Sequence, residues 1–232
     1  ILRTGERDDI PSHFIGAIVY ITKSAHETIL SPSSLLVIDG QQRLATLTLL
    51  VTALAKYLNT FPETEREPIE GFSPNKLRAY YLVNREEEGE KHYKLILTQT
   101  DKESLIALLS GKEPPRDRSV RIEENYALFE EWIAAEKKRL AVICRGIAKL
   151  MVVEVALDRT QDNPQLIFES MNSTGKELGQ ADLIRNFILM GLEQRLQTEL
   201  YEKYWRPMEV DFGQEAYSSH FDAFMRHYLT VK

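Results

Sequence analysis

Apolar side chains along this chain change their period several times, and each change marks an element. Residues 14–21, Phe-Ile-Gly-Ala-Ile-Val-Tyr-Ile, are dense in β-branched and aromatic types and read as a strand, with Gly16 at a position suited to close backbone packing or a bulge. After a polar stretch containing Pro32, Leu35-Leu36-Val37-Ile38 reads as a strand buried on both faces. The period then becomes helical: Leu44, Leu47, Leu50, Val51, Leu54 and Leu58 form one stripe of a helix reaching about Tyr57 and stopping before Pro62. Asp39 stands where an N-cap belongs, and Gln42 three residues later completes a capping box.

Beyond an acidic loop at 63–70, residues 77–83 and 93–97 read as two strands of a hairpin around the charged tip 85–90. Asp101 caps a short helix, 102–109, closed by Gly111. Residues 111–119, with Pro114 and Pro115, make a connection and the best boundary between domains. The segment 121–150 is helical, with Ile122, Tyr126, Phe129 and Ile133 in a stripe and a break near 136–139. A strand at 151–157, a helix at 164–171 opened by Asn163-Pro164, another from about Gln180, and two or more helices over 193–231 split near Pro207 complete the pattern. The expected class is α+β: a small mixed sheet with helices over 1–110, followed by a mostly helical region over 111–232.

Composition narrows the functional classes. With 232 residues, 43% of them hydrophobic, the chain can bury one substantial core or a core with a helical annex. No apolar run approaches the roughly 20 residues of a membrane helix, and no basic-then-apolar leader opens the chain. Cys144, the single cysteine, has no internal disulfide partner; it fits a reducing cytoplasm and reads as a small buried hydrophobe. The net charge of −6 argues against a broad non-specific nucleic-acid surface, though a local basic groove is compatible with it. The histidines, at 13, 26, 92, 220 and 227, make no His-Glu-x-x-His or comparable metal-ligand pair.

Candidate chemistry gathers at Asp39-Gly40-Gln41-Gln42-Arg43. A strand turning into a helix leaves backbone N–H groups without intrahelical partners and a partial positive charge, and Gly40 lets a ligand approach the backbone. Arg43, one turn in, offers a charge-assisted fork to an anion. Asp39 repels a phosphate unless a magnesium ion bridges the two or the carboxylate accepts a proton from an attacking water. The same residues fit either a nucleotide site with a divalent metal and hydrolysis or a merely well-capped helix. A second polar corner, Asn172-Ser173-Thr174-Gly175 with Asp182, Arg185 and Asn186, is equally open. In one reading Asn172 caps a helix and Asp182 pairs with Arg185 across one turn; in another Arg185 pairs with Asp39.

The first motif, continuing into Leu44-Ala45-Thr46-Leu47, resembles the signature of the N-terminal domain of GmrSD-type modification-dependent restriction endonucleases, a branch of the ParB/sulfiredoxin-like fold. Residues 167–178, Ile-Phe-Glu-Ser-Met-Asn-Ser-Thr-Gly-Lys-Glu-Leu, and 182–186, Asp-Leu-Ile-Arg-Asn, look like that family's second block. Tyr93-Lys94-Leu95-Ile96-Leu97 with Asp101, and Trp205-Arg206-Pro207, also look like family landmarks, so the resemblance covers roughly the whole chain. Proteins similar to this family carry an upstream Pro-Tyr-Gln-Arg element that completes the ligand pocket; nothing here matches it, and the chain is expected to be an N-terminally incomplete fragment.

The resemblance implies a domain that binds and hydrolyses a nucleoside triphosphate with Mg2+ and regulates DNA restriction in phage defence. It implies Asp39, Gln41, Gln42 and Arg43 as catalytic residues, with Asp39 also holding the metal. It implies Gly40, Arg43, Asn172, Thr174, Gly175, Asp182, Arg185 and Asn186 as nucleotide-binding residues. The partners implied are modified DNA, through the full-length protein, and an HNH nuclease domain in the same chain or a partner subunit. The family's HNH block has no counterpart here, so cleavage would come from elsewhere. The alternative is a non-enzymatic scaffold that senses DNA or binds a protein. A sulfiredoxin-like redox enzyme fits poorly, because Gln41 and Gln42 stand where its turn needs a nucleophilic cysteine.

Overall fold

The computed structural model describes residues 1–22, 34–157 and 199–231, together with Ala181, Ile184, Arg185, Ile188, Leu192 and Leu196. It is α+β, a three-stranded mixed sheet with helices and a mostly helical later region. The elements are α1 (Leu2–Glu6), β1 (His13–Thr22), β2 (Leu35–Asp39), α2 (Gln41–Leu58), α3 (Pro74–Leu77), α4 (Gln99–Ser110), α5 (Val120–Ala135), α6 (Leu140–Ala148), β3 (Leu150–Leu157) and α7 (Arg206–Val231). Contacts divide the chain into two compact units, one comprising Ile1–Ile18 and Gly40–Val155, the other Val19–Asp39 and Ala156–Lys232.

The first unit is built on α2. Its stripe broadens into a run, residues 49–55, buried on every side of the helix, because α5 packs on it together with α3 and the π-helical turn Arg78–Leu82. Leu50, Leu54, Leu58, Leu77, Leu82 and Ile133 are at most 2% exposed, and burial of each such side chain contributes about 1.5–3 kcal/mol relative to exposure. Thr52 is tolerated inside this run because its hydroxyl donates to the Thr48 carbonyl at 2.6 Å. Ser119 caps α5, accepting from the Ile122 N–H at 3.3 Å, while its own N–H donates to Ser104 Oγ of α4 at 2.8 Å. The connection 111–119 therefore joins two helices of the same unit and ends in a buried anchor. The break in 121–150 falls at the 3-10 turn Lys137–Arg139, where the sequence places it.

The strands run in the order β2-β1-β3. The first two are antiparallel, with Val19 opposite Asp39, Tyr20 opposite Val37, Ile21 opposite Leu36 and Thr22 opposite Leu35. Ile38 is the extra residue of a bulge between the first two pairs, a device that bends a strand and re-aims its end. At the other side, the His13 N–H donates to the Lys149 carbonyl at 2.7 Å, just before β3 begins. In the second unit Trp205, Phe221, Met225 and Ala181 are buried together. Tyr217 stacks on Phe221 at 4.4 Å between ring centroids, Trp205 meets it edge-on at 5.8 Å, and the Ala181 N–H donates to Asp222 Oδ1 at 2.8 Å.

Several expectations are corrected. β2 is not buried on both faces: Ile38 is 3% exposed but Leu35 is 47% exposed, and β2 pairs antiparallel with β1, an arrangement that does not need both faces covered as a buried parallel strand does. Asp39 is the last residue of β2, paired beyond the bulge, so the N-cap of α2 is Gly40 and the Asp39–Gln42 capping box does not form. Of the hairpin strand expected at 77–83, residues 77–82 are helical. Ser73 accepts from the Lys76 N–H, Pro74 opens α3, and the chain continues into the π turn that buries Leu77 and Leu82 beside α2. Burial against α2 outweighs the strand preference of Tyr80 and Tyr81, which stay exposed; what remains of the pairing is the bridge between Val83 and Tyr93. The N-cap of α4 is Thr98, and Asp101 lies in its first turn, where a carboxylate complements the helix dipole; Gly111 closes the helix as expected. The chain stays helical through Pro207, just past the π-helical turn Tyr201–Trp205, and kinks at Gly213 instead.

The expected helix at 164–171 and the corner 172–175 lie outside the described residues. Among the described residues, no helix is long and apolar enough to cross a membrane.

Candidate functional site

The junction of β2 and α2 takes its shape from two glycines. Gly40, at φ +94°, is in the left-handed region, which an L side chain enters only with strain. A Cβ there would come within 3.0 Å of Ile18 Cγ1 and 3.1 Å of the Ala17 carbonyl oxygen, so the backbone turns directly against β1. The Leu44 N–H donates to the Gly40 carbonyl at 3.0 Å and opens the helix. As N-cap, glycine brings no side chain to the first-turn N–H groups, and Gln41 and Gln42 are exposed there.

Arg43 turns back onto the same strand. Its Nη2 donates to the Ala17 carbonyl at 2.6 Å, and its Nε is buried. Gly16, at φ +113°, faces it: a Cβ there would stand 3.2 Å from both Cζ and Nε of the arginine. The guanidinium thus lies along the backbone of residues 16 and 17, and its charge is fixed beside the positive end of α2. The sequence marks Gly16 as suited to close packing but not its partner, Arg43, which lies 27 positions away and meets it only in the fold.

Asp39 is half-buried and opposite Val19 in the ladder, immediately before Gly40. Arg185, from the second polar corner, is helical and pairs with Glu209 of α7, Nη1 to Oε1 at 3.3 Å. Glu209 also accepts from the Tyr201 hydroxyl, and burial followed by this bond raises the Tyr201 phenol above its ordinary range. Neither Glu209 nor Tyr201 carried a signal in the sequence, since a single glutamate in an amphipathic helix looks like a solvated face. Asn172, Thr174, Gly175, Asp182 and Asn186 lie outside the described residues. Among the described residues, no group of three or more histidine, cysteine, aspartate or glutamate side chains is arranged to hold a metal.

The arrangement is that of an α+β protein with a glycine-capped strand–helix junction and an arginine clasped beside it. Residues 6–189 match the family described as GmrSD restriction endonuclease, N-terminal domain. The chain belongs to that family, which places it in restriction-related defence and implies association with a nuclease domain. No curated protein and no solved structure shows a significant match to it.

Proposed function

We propose that this chain is the domain that binds and hydrolyses a nucleoside triphosphate in a restriction protein acting in phage defence, with an HNH nuclease domain lying outside this sequence. Residues 1–110 would supply its ParB/sulfiredoxin-like core, to which α5 adds a helix packed on α2, and the mostly helical region after 111 would carry the second motif. The observation that supports the reading most is the start of α2: a long helix, capped by glycine, with the Arg43 charge held beside its first turn. The Gly40 and Gln41 backbone N–H groups would cradle phosphate oxygens, Arg43 would neutralise their charge, and Gln41 and Gln42 would orient water or the base. Asn172, Thr174, Gly175, Asp182, Arg185 and Asn186 would supply the second set of nucleotide contacts. Modified DNA would be recognised through the full-length protein.

A single carboxylate suits Mg2+ that arrives with its nucleotide, because this ion keeps several waters and takes one or two carboxylates plus phosphate oxygens. Asp39 would hold it, and the ion would supply charge neutralisation at the phosphates. The test is phosphate release from ATP, GTP, CTP and UTP with magnesium, comparing the full-length protein with Arg43→Ala and Asp39→Ala. We expect turnover that each substitution lowers by about 100-fold or more while folding is retained. Binding without turnover would leave a sensor; neither binding nor turnover would overturn the reading.

A further inference from the structure

We propose that Gly16 is a positioning residue for Arg43, holding its guanidinium flat on β1 in advance of any ligand; the functional half of this proposal rests on the nucleotide reading above. Three observations carry it. A Cβ on Gly16 would meet Cζ and Nε of Arg43 at 3.2 Å and Cδ at 3.4 Å, three consecutive atoms, so the arginine lies across the bare Cα rather than touching it at one tip. The adjacent Ala17 carbonyl takes the Nη2 hydrogen bond at 2.6 Å, which sets the rotation of the plane as well as its place. The same carbonyl is approached by Gly40, so the strand segment that receives the guanidinium also receives the start of α2. Arginine and helix terminus therefore share one reference frame.

An arginine free in solvent loses its rotamer freedom when it binds an anion, whereas one already clasped has little left to lose. A Cβ at Gly16 would strain a backbone held at φ +113° and shift the guanidinium by a few tenths of an ångström, loosening its alignment with the first turn of α2. Lysine at 43 would carry the charge but has no planar fork to lie along residues 16 and 17.

The test is a double-mutant cycle on Gly16→Ala and Arg43→Ala, read by calorimetric binding of ATP, GTP, CTP and UTP with magnesium and by melting of the ligand-free proteins. Gly16→Ala is expected to weaken binding by about tenfold, the size of one charge-assisted hydrogen bond, and to add nothing to Arg43→Ala. It is also expected to lower the melting temperature less when Arg43 is already alanine. An equal loss in both backgrounds, or a folded Gly16→Ala protein that binds like wild type, overturns the proposal.

Arginine-selective NMR of the ligand-free wild type keeps the test open if Gly16→Ala does not fold. Distinct, slowly exchanging Nη–H resonances for Arg43 support the clasp, and one averaged signal refutes it. Should the wild type bind no triphosphate, the nucleotide reading fails by itself, and the melting cycle and NMR still decide whether Gly16 positions Arg43.

Discussion

Cys144 shows how surroundings set the chemistry of a single residue. It is fully buried in the core of the first unit, and burial pushes its thiol up to about 12, outweighing the lowering by its own backbone and by Arg145. A thiol held protonated is a poor nucleophile, which removes the reagent a sulfiredoxin-like reaction would need. Iodoacetamide at about pH 8 should therefore leave the native chain unlabelled and label the denatured chain once, as read by mass spectrometry. The same shift has a sign in stability. The unfolded thiol ionises near 9.0 and the folded one near 12, so between those values the unfolded state holds fewer protons and stability falls as pH rises. Urea unfolding across that window should show a shallower fall for Cys144→Ala than for the wild type. Arg185 carries a different lesson: its type and place in a polar corner suit a phosphate, yet its described partner is Glu209.

Among the elements, the joint between β2 and α2 is the most demanding, because the chain must leave a bulged strand, turn in a left-handed residue and start a helix within three positions. Gly40→Ala places a Cβ both in a strained φ and against the Ala17 carbonyl, and should destabilise the protein by about 1–3 kcal/mol, measured as a lower urea midpoint at unchanged m. Helices α2, α5 and α6 were legible because their apolar spacing and breaks are local signals. The segment 77–82 was not legible as a helix. Its tyrosines favour a strand locally, and burial of Leu77 and Leu82 beside α2, a non-local term, decides against it. The N-caps at Gly40 and Thr98 were misplaced by one and three residues for a related reason: where a strand or loop stops depends on its pairing, which sequence spacing does not report.

For the molecule as a whole, membership of the GmrSD N-terminal domain family implies association with a nuclease domain. Incubated with modified and unmodified phage DNA, magnesium and nucleotide, this chain alone should leave the DNA intact on a gel; cleavage products would show that it carries a nuclease of its own. The chain's α+β class, its family and the place of its principal motif followed from sequence alone, because periodicity, turn residues and a long motif are written in consecutive positions. The edge position of β2, the helical course of 77–82, the clasp of Arg43 on residues 16 and 17 and the pairing of Arg185 with Glu209 were decided only by tertiary structure. Each depends on groups distant in the chain that meet when the core is buried, and no local pattern encodes which distant group will be there.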